Sequence, residues 1–129
     1  MQSRRPFSFR KRLKSFSYAY EGLKVLLQTQ HNARIHVGLA IFALCLCFWL
    51  EVGKIELCLI LFAIVLVWMA EAFNTVFEIL TTMVSPTHSI KAKRAKDVAA
   101  GVVLVTSVGA LIIGLTILGP PLMVRLGQF

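Results

Sequence analysis

Residues 55–84 read IELCLILFAIVLVWMAEAFNTVFEILTTMV, and this stretch decides the fold. It is apolar on every side for most of its length, which fits a helix surrounded by lipid rather than one lying on a soluble core. At the helical rise it extends roughly 45 Å, more than a hydrocarbon core of about 30 Å, so it crosses the bilayer and projects past it. Before it lies the turn Glu51-Val52-Gly53-Lys54, and before that a second apolar run, 33–50, of roughly 27 Å. After it, Ser85-Pro86 breaks the pattern and a polar, basic loop runs to Asp97. A third apolar run, 98–118, meets Gly119-Pro120-Pro121, which predicts a helix stop. The reading is all-α: an integral membrane protein with three transmembrane helices at about 33–50, 55–84 and 98–118.

Residues 1–8 read as a disordered basic tail, and 9–129 as a single domain. From Phe9 onward, Leu13, Phe16, Tyr20, Leu23 and Leu27 recur at three- and four-residue steps, with Lys11, Lys14, Glu21 and Lys24 between them. That spacing predicts an amphipathic helix over 9–30, lying in the membrane interface. A partner-binding helix has the same pattern, but the neighbouring spans favour the bilayer. No signal peptide is expected, because the first apolar run comes late and no small-residue cleavage site follows it.

The composition agrees. The 129 residues are 57% hydrophobic, with a mean hydropathy of +0.77, too apolar for a soluble domain of this size. There are 14 Lys+Arg against 6 Asp+Glu. The cations crowd the N-terminus (Arg4, Arg5, Arg10, Lys11, Arg12, Lys14) and one loop (Lys91, Lys93, Arg94, Lys96), both next to apolar runs. Such clusters set membrane topology, and they argue against nucleic acid. Only Lys54 and Arg125 fall on the other side, so the N-terminus is predicted inside and the C-terminus outside. Cys45, Cys47 and Cys58 all sit in apolar runs. A C-x-C pair on a helix points its sulfurs roughly 200° apart, so Cys45 and Cys47 do not share a metal, and all three read as small reduced side chains.

Glu71 and Glu78 stand out in an otherwise aliphatic helix. Counted from Leu57, they lie roughly 21 and 32 Å along, in the inner hydrocarbon and near the inner headgroups. A carboxylate at that depth is costly, and its default reading is functional. Glu71, Asn74 and Glu78, at i, i+3 and i+7, share one stripe within roughly 60°, flanked by Thr75 and Thr82. Interhelical hydrogen bonding is the competing explanation. A second constellation, Lys93-Arg94-Ala95-Lys96-Asp97, opens the third helix, where free backbone N–H groups and cations suit a phosphate; alone, it is equally an inside-positive anchor. Together the two suggest an anionic, metal-bound ligand meeting a lipid at the inner interface.

The run Glu71-Ala-Phe-Asn74-Thr75-Val-Phe-Glu78 resembles the E-x-x-N-[ST]-x-x-E signature of the prokaryotic diacylglycerol kinase and undecaprenol kinase family. Ala95-Lys96-Asp97 with Ala99-Ala100-Gly101 is similar to that family's A-K-D-x-A-A-G segment, and Tyr18, Gly22, Leu23 and residues 12–16 also fit. The resemblance covers about residues 10–118. It implies a homotrimer in a bacterial inner membrane that transfers phosphate from MgATP to a lipid alcohol, diacylglycerol or undecaprenol. It implies that Glu71 is the general base, that Glu78 binds Mg²⁺, that Asn74 lies near the reacting groups, and that Tyr18, Lys96 and Asp97 contact the nucleotide. Lys11 and His88 fall at weaker nucleotide contacts. Asn32-x-x-x-His36 and the A-A-G run lean toward the undecaprenol kinase branch.

Two positions depart from the family pattern. Gln30 stands where the family has a second metal-binding glutamate at the end of the surface helix, and Thr82 where it has an aspartate. An amide oxygen can ligate magnesium but brings no charge. These departures motivate a second class of reading, a pseudokinase or assembly partner that keeps the scaffold. A transporter or proton pathway through Glu71 and Glu78 is disfavoured, since no polar residue continues it outward along the second span.

Overall fold

The computed structural model describes residues 8–85, 87 and 89–128. Residues 1–7 and His88, read above as a tail and a nucleotide contact, lie outside these. The described chain holds four helices: α1 (Phe9–Thr29), α2 (His31–Trp49), α3 (Lys54–Val84) and α4 (Ile90–Leu126). The last three are long and apolar enough to cross a membrane, and α1 is the amphipathic helix.

Along α1 the apolar stripe of Phe9, Leu13, Phe16, Tyr20 and Leu23 is exposed, while Leu26 alone is buried. A stripe of this kind, left uncovered by the other described residues, is what an interfacial helix presents to lipid. One extended residue, Gln30 (φ −104°, ψ 115°), separates α1 from α2. The joint is held by Arg34 of α2, whose guanidinium donates to the carbonyls of Leu27 (2.9 Å) and Gln28 (2.6 Å). A cation there satisfies carbonyls that the end of α1 leaves without helical donors.

At the opposite end, α2 closes in a Schellman turn: Val52 N–H donates to Cys47 O (3.1 Å) and Glu51 N–H to Phe48 O (3.3 Å). Glu51 takes the left-handed conformation this requires (φ 52°), a role that suits glycine better. Val52 packs over Cys47, Ile60 and Leu118, the core at this end of the bundle.

The closest partners are α3 and α4. On α3, Ile60, Ala63, Val67, Ala70, Glu71, Asn74 and Thr75 are buried, and on α4 Ala99, Val103 and Leu118. Small side chains on such a seam let two backbones approach closely in lipid. The stripe keeps its three- and four-residue spacing as it passes from aliphatic to polar, so the packing that holds α3 also sets Glu71 and Asn74 inward.

Two expectations for the third span are corrected. The helix does not stop at Leu118 but runs through Pro120 and Pro121 to Leu126. Each proline removes an N–H, leaving the carbonyls of Thr116 and Ile117 without helical donors, and such breaks are tolerated in transmembrane helices. The helix also begins earlier, at Ile90, capped by Ser89, whose Oγ accepts from Ala92 N–H (3.5 Å). Lys93, Arg94, Lys96 and Asp97 therefore follow the helix start, and the free N–H groups belong to its first turn rather than to 93–97.

Candidate functional site

Among the described residues Glu71 is the most deeply buried large side chain, 1% exposed, and neither carboxylate oxygen has a hydrogen-bond partner there. Among the described residues no side chain bonds to it as interhelical glue. Its backbone carbonyl accepts from Thr75 Oγ1 (3.0 Å), an ordinary helical back-bond.

About two turns further along, roughly 10 Å by helical rise, Glu78 is held by two amides. Gln30 Nε2 donates to its Oε2 and Asn74 Nδ2 to its Oε1, both at 3.4 Å. Gln30 arrives from the α1–α2 joint, 48 residues away in sequence. Asn74 is 7% exposed and its Oδ1 has no partner. Another turn on, Lys96 of α4 donates from Nζ to Thr82 Oγ1 at 3.1 Å. One face thus carries, in order, a buried free carboxylate, a carboxylate between two amides, and an ammonium on a hydroxyl.

Among the described residues no three of His, Cys, Asp and Glu gather into a metal site. A cation at Glu78 would draw on amide oxygens and on whatever anion accompanies it. That donor set, all oxygen with one carboxylate nearby, suits a hard cation such as Mg²⁺. On the side of Glu71 toward the α2–α3 turn, an apolar cleft of about 320 Å³ runs between α2, α3 and α4, lined by His36, Ala40, Val67, Trp68, Ser107 and Leu118 among others.

A model of the prokaryotic diacylglycerol kinase family matches residues 17–118. The chain belongs to this family. It is 34% identical over 112 residues to the diacylglycerol kinase of Synechocystis sp., a match covering 86% of this chain and 64% of that protein. It is 36% identical over 109 residues to the undecaprenol kinase of Bacillus subtilis, covering 84% and 89%. The chain therefore spans just under two thirds of the Synechocystis relative's length. Membership of this kinase family and the three long apolar helices make it a multi-pass membrane protein.

Of the residues that the family pattern picks out, the single chain gathers Glu71, Asn74, Glu78 and Gln30 around one stretch of α3, with Lys96 close by. It leaves others apart. Lys11 and Tyr18 lie along α1, roughly 28 and 18 Å from Gln30 by helical rise. Tyr18 is 59% exposed, with Lys14 Nζ 5.9 Å from its ring centroid. Asp97 is exposed.

Thr82, which the sequence sets beside the acidic stripe and marks as a missing aspartate, accepts the hydrogen bond that positions Lys96. Arg34 was passed over although it fixes the joint that presents Gln30; a cation just past a helix end was the available signal.

Proposed function

We propose that this protein is an ATP- and Mg²⁺-dependent lipid kinase, phosphorylating diacylglycerol or undecaprenol at the cytoplasmic leaflet of a bacterial inner membrane. The observation that carries the reading is Glu71, a buried carboxylate of α3 with neither oxygen hydrogen-bonded among the described residues. A group held this way is available as the base that takes the proton of a lipid hydroxyl as it attacks the γ-phosphate. The family membership and the names of the two relatives support a lipid kinase, one name for each candidate lipid.

Glu78, with Gln30 and Asn74 around it, would hold the magnesium. Bound there, the ion supplies charge neutralisation for the transferred phosphoryl group. Lys96, steadied by Thr82, offers an ammonium to the phosphates, and Asp97 and Tyr18 complete the nucleotide contacts, with Lys11 and His88 at its margin. Because Lys11 and Tyr18 sit far along α1 from Gln30, a homotrimer in which one subunit's α1 serves a neighbour's site accounts for their part. The basic inner face orients the chain with its N-terminus cytoplasmic.

Purified protein in vesicles with labelled ATP, offered diacylglycerol and undecaprenol separately, tests the reading. Transfer to one or both supports it. No transfer to either, with nucleotide still bound, favours a pseudokinase, for which Gln30 and Thr82 in place of acids are the motive.

A further inference from the structure

Resting on the reading of Glu71 as the base, we infer that the cleft between α2, α3 and α4 seats the tail of a single-chain lipid alcohol, and that Ser107 holds the alcohol's oxygen level with Glu71. A polyprenol fits whole, whereas a diacylglycerol has a second chain to place elsewhere.

Glu71 heads the cleft by register. On α3 the lining residues Ile60, Ala63, Ile64, Val67 and Trp68 recur at three- and four-residue steps, and the next step is Glu71. Its side chain leans toward the start of its own helix, over Val67 and Trp68, as helical side chains do. Two contacts fix α4 against α3: Lys96 donates to Thr82 on one side, and Leu118 shares a core cluster with Ile60 on the other. Glu71 is eleven residues from both Thr82 and Ile60, and Ser107 eleven from both Lys96 and Leu118, so the two stand at one level of the bundle. Ser107 lines the cleft. Its Oγ is buried and, like the oxygens of Glu71, has no hydrogen-bond partner among the described residues. Buried hydroxyls are normally satisfied. An alcohol oxygen between the two completes both, accepting from Ser107 Oγ while donating its proton to Glu71.

Width selects the tail. The cleft holds about 320 Å³, and its walls run over 60–68 on α3 and 107–122 on α4, roughly 12 and 22 Å by helical rise. Spread over such lengths, that volume makes a channel roughly 4–6 Å across. Carbons in contact sit about 3.5–4.0 Å apart, so one hydrocarbon chain fills the channel and two side by side do not. A helix from a second copy, about 10–12 Å in diameter with its side chains, is excluded by the same measure. Small residues line the passage, Ala40, Ala63, Ala110 and Gly114, and a Cβ added at Gly114 would meet nothing within 4 Å.

A photoreactive probe locates the tail without relying on turnover. Full-length protein in lipid nanodiscs is given farnesol carrying a diazirine at the end away from its hydroxyl, and labelled residues are found by mass spectrometry. Label should fall in the part of the cleft near the α2–α3 turn, on Ile60, Leu118 or Leu122. Gly114→Leu, whose side chain enters the open space of the cleft, should remove most of it, and Ala40→Leu should do the same from α2. Label elsewhere, or label indifferent to both blocks, overturns the proposal. In the phosphorylation assay, Ser107→Ala should raise the KM for polyprenol roughly fivefold, the worth of one hydrogen bond. It should leave the KM for ATP and the unfolding midpoint unchanged, and Ser107→Thr should restore the lipid KM. An unchanged lipid KM in Ser107→Ala, or a lowered midpoint, overturns the role of Ser107. A parent that phosphorylates diacylglycerol in preference to polyprenols overturns the single-chain class. Label in the cleft without transfer to any lipid alcohol supports the seat and sinks the kinase reading beneath it.

Discussion

Replacing Glu71 by glutamine separates chemistry from packing. The amide keeps the size and planar shape of the carboxylate but cannot take up the proton of an attacking hydroxyl. General-base assistance is worth roughly 10²–10⁴-fold, so lipid phosphorylation should fall by that factor, equivalent to about 3–5 kcal/mol on the barrier. Stability should move the other way or not at all. Neither oxygen of Glu71 accepts a hydrogen bond among the described residues, so Glu71→Gln forfeits none of these, and it removes an ionisable group from a site that is 1% exposed. If Glu71 instead tied helices together, losing one partner of a buried hydrogen bond would cost about 1–3 kcal/mol and the unfolding midpoint would drop. The assay is therefore paired: turnover of labelled ATP on lipid in vesicles, and denaturation of the same preparation in micelles, with binding of a fluorescent nucleotide as a check on the rest of the site. Normal turnover in Glu71→Gln, or slow turnover with a matching loss of stability, refutes the reasoning.

Three further perturbations follow from the geometry. Lys96→Met removes the ammonium that Thr82 steadies; a charged hydrogen bond to phosphate is worth about 1.5–3 kcal/mol, so the KM for ATP should rise roughly ten- to a hundredfold, and an unchanged KM would place Lys96 away from the nucleotide. Glu51 occupies a left-handed position (φ 52°), so Glu51→Gly should stabilise the protein by about 1 kcal/mol in micelle denaturation without changing turnover; destabilisation would mean the side chain is needed at the α2–α3 turn. A reporter fused after Phe129 should read outside and one inserted between Ser85 and Ser89 inside, and matching signals from both would remove a span.

The sequence made α3 legible because one rule runs its whole length. Ile60, Ala63, Val67, Ala70 and Asn74 recur at three- and four-residue steps, so Glu71 is placed on the buried face by its neighbours' spacing before any chemistry is considered. The contact between Gln30 and Glu78 was reachable only through resemblance, since local patterning carries nothing across 48 residues. The ends of α4 were misplaced for two physical reasons. Reading Gly119-Pro120-Pro121 as a stop assumes water waiting for the freed carbonyls, which a helix among apolar neighbours does not offer. Ser89, the actual cap, was masked by the cations that follow it, and these drew the apparent start toward Val98.

The single residue between α1 and α2 makes α1 a lever with its fulcrum at Gln30. Lys11 lies roughly 28 Å out along the arm, so a tilt of about 10° sweeps it through about 5 Å while the fulcrum hardly moves. Arg34, grasping Leu27 and Gln28 from α2, acts as the bearing. The far end of α1 thus stands well away from the groups around Glu78, whose spacing is set at the joint and along α3.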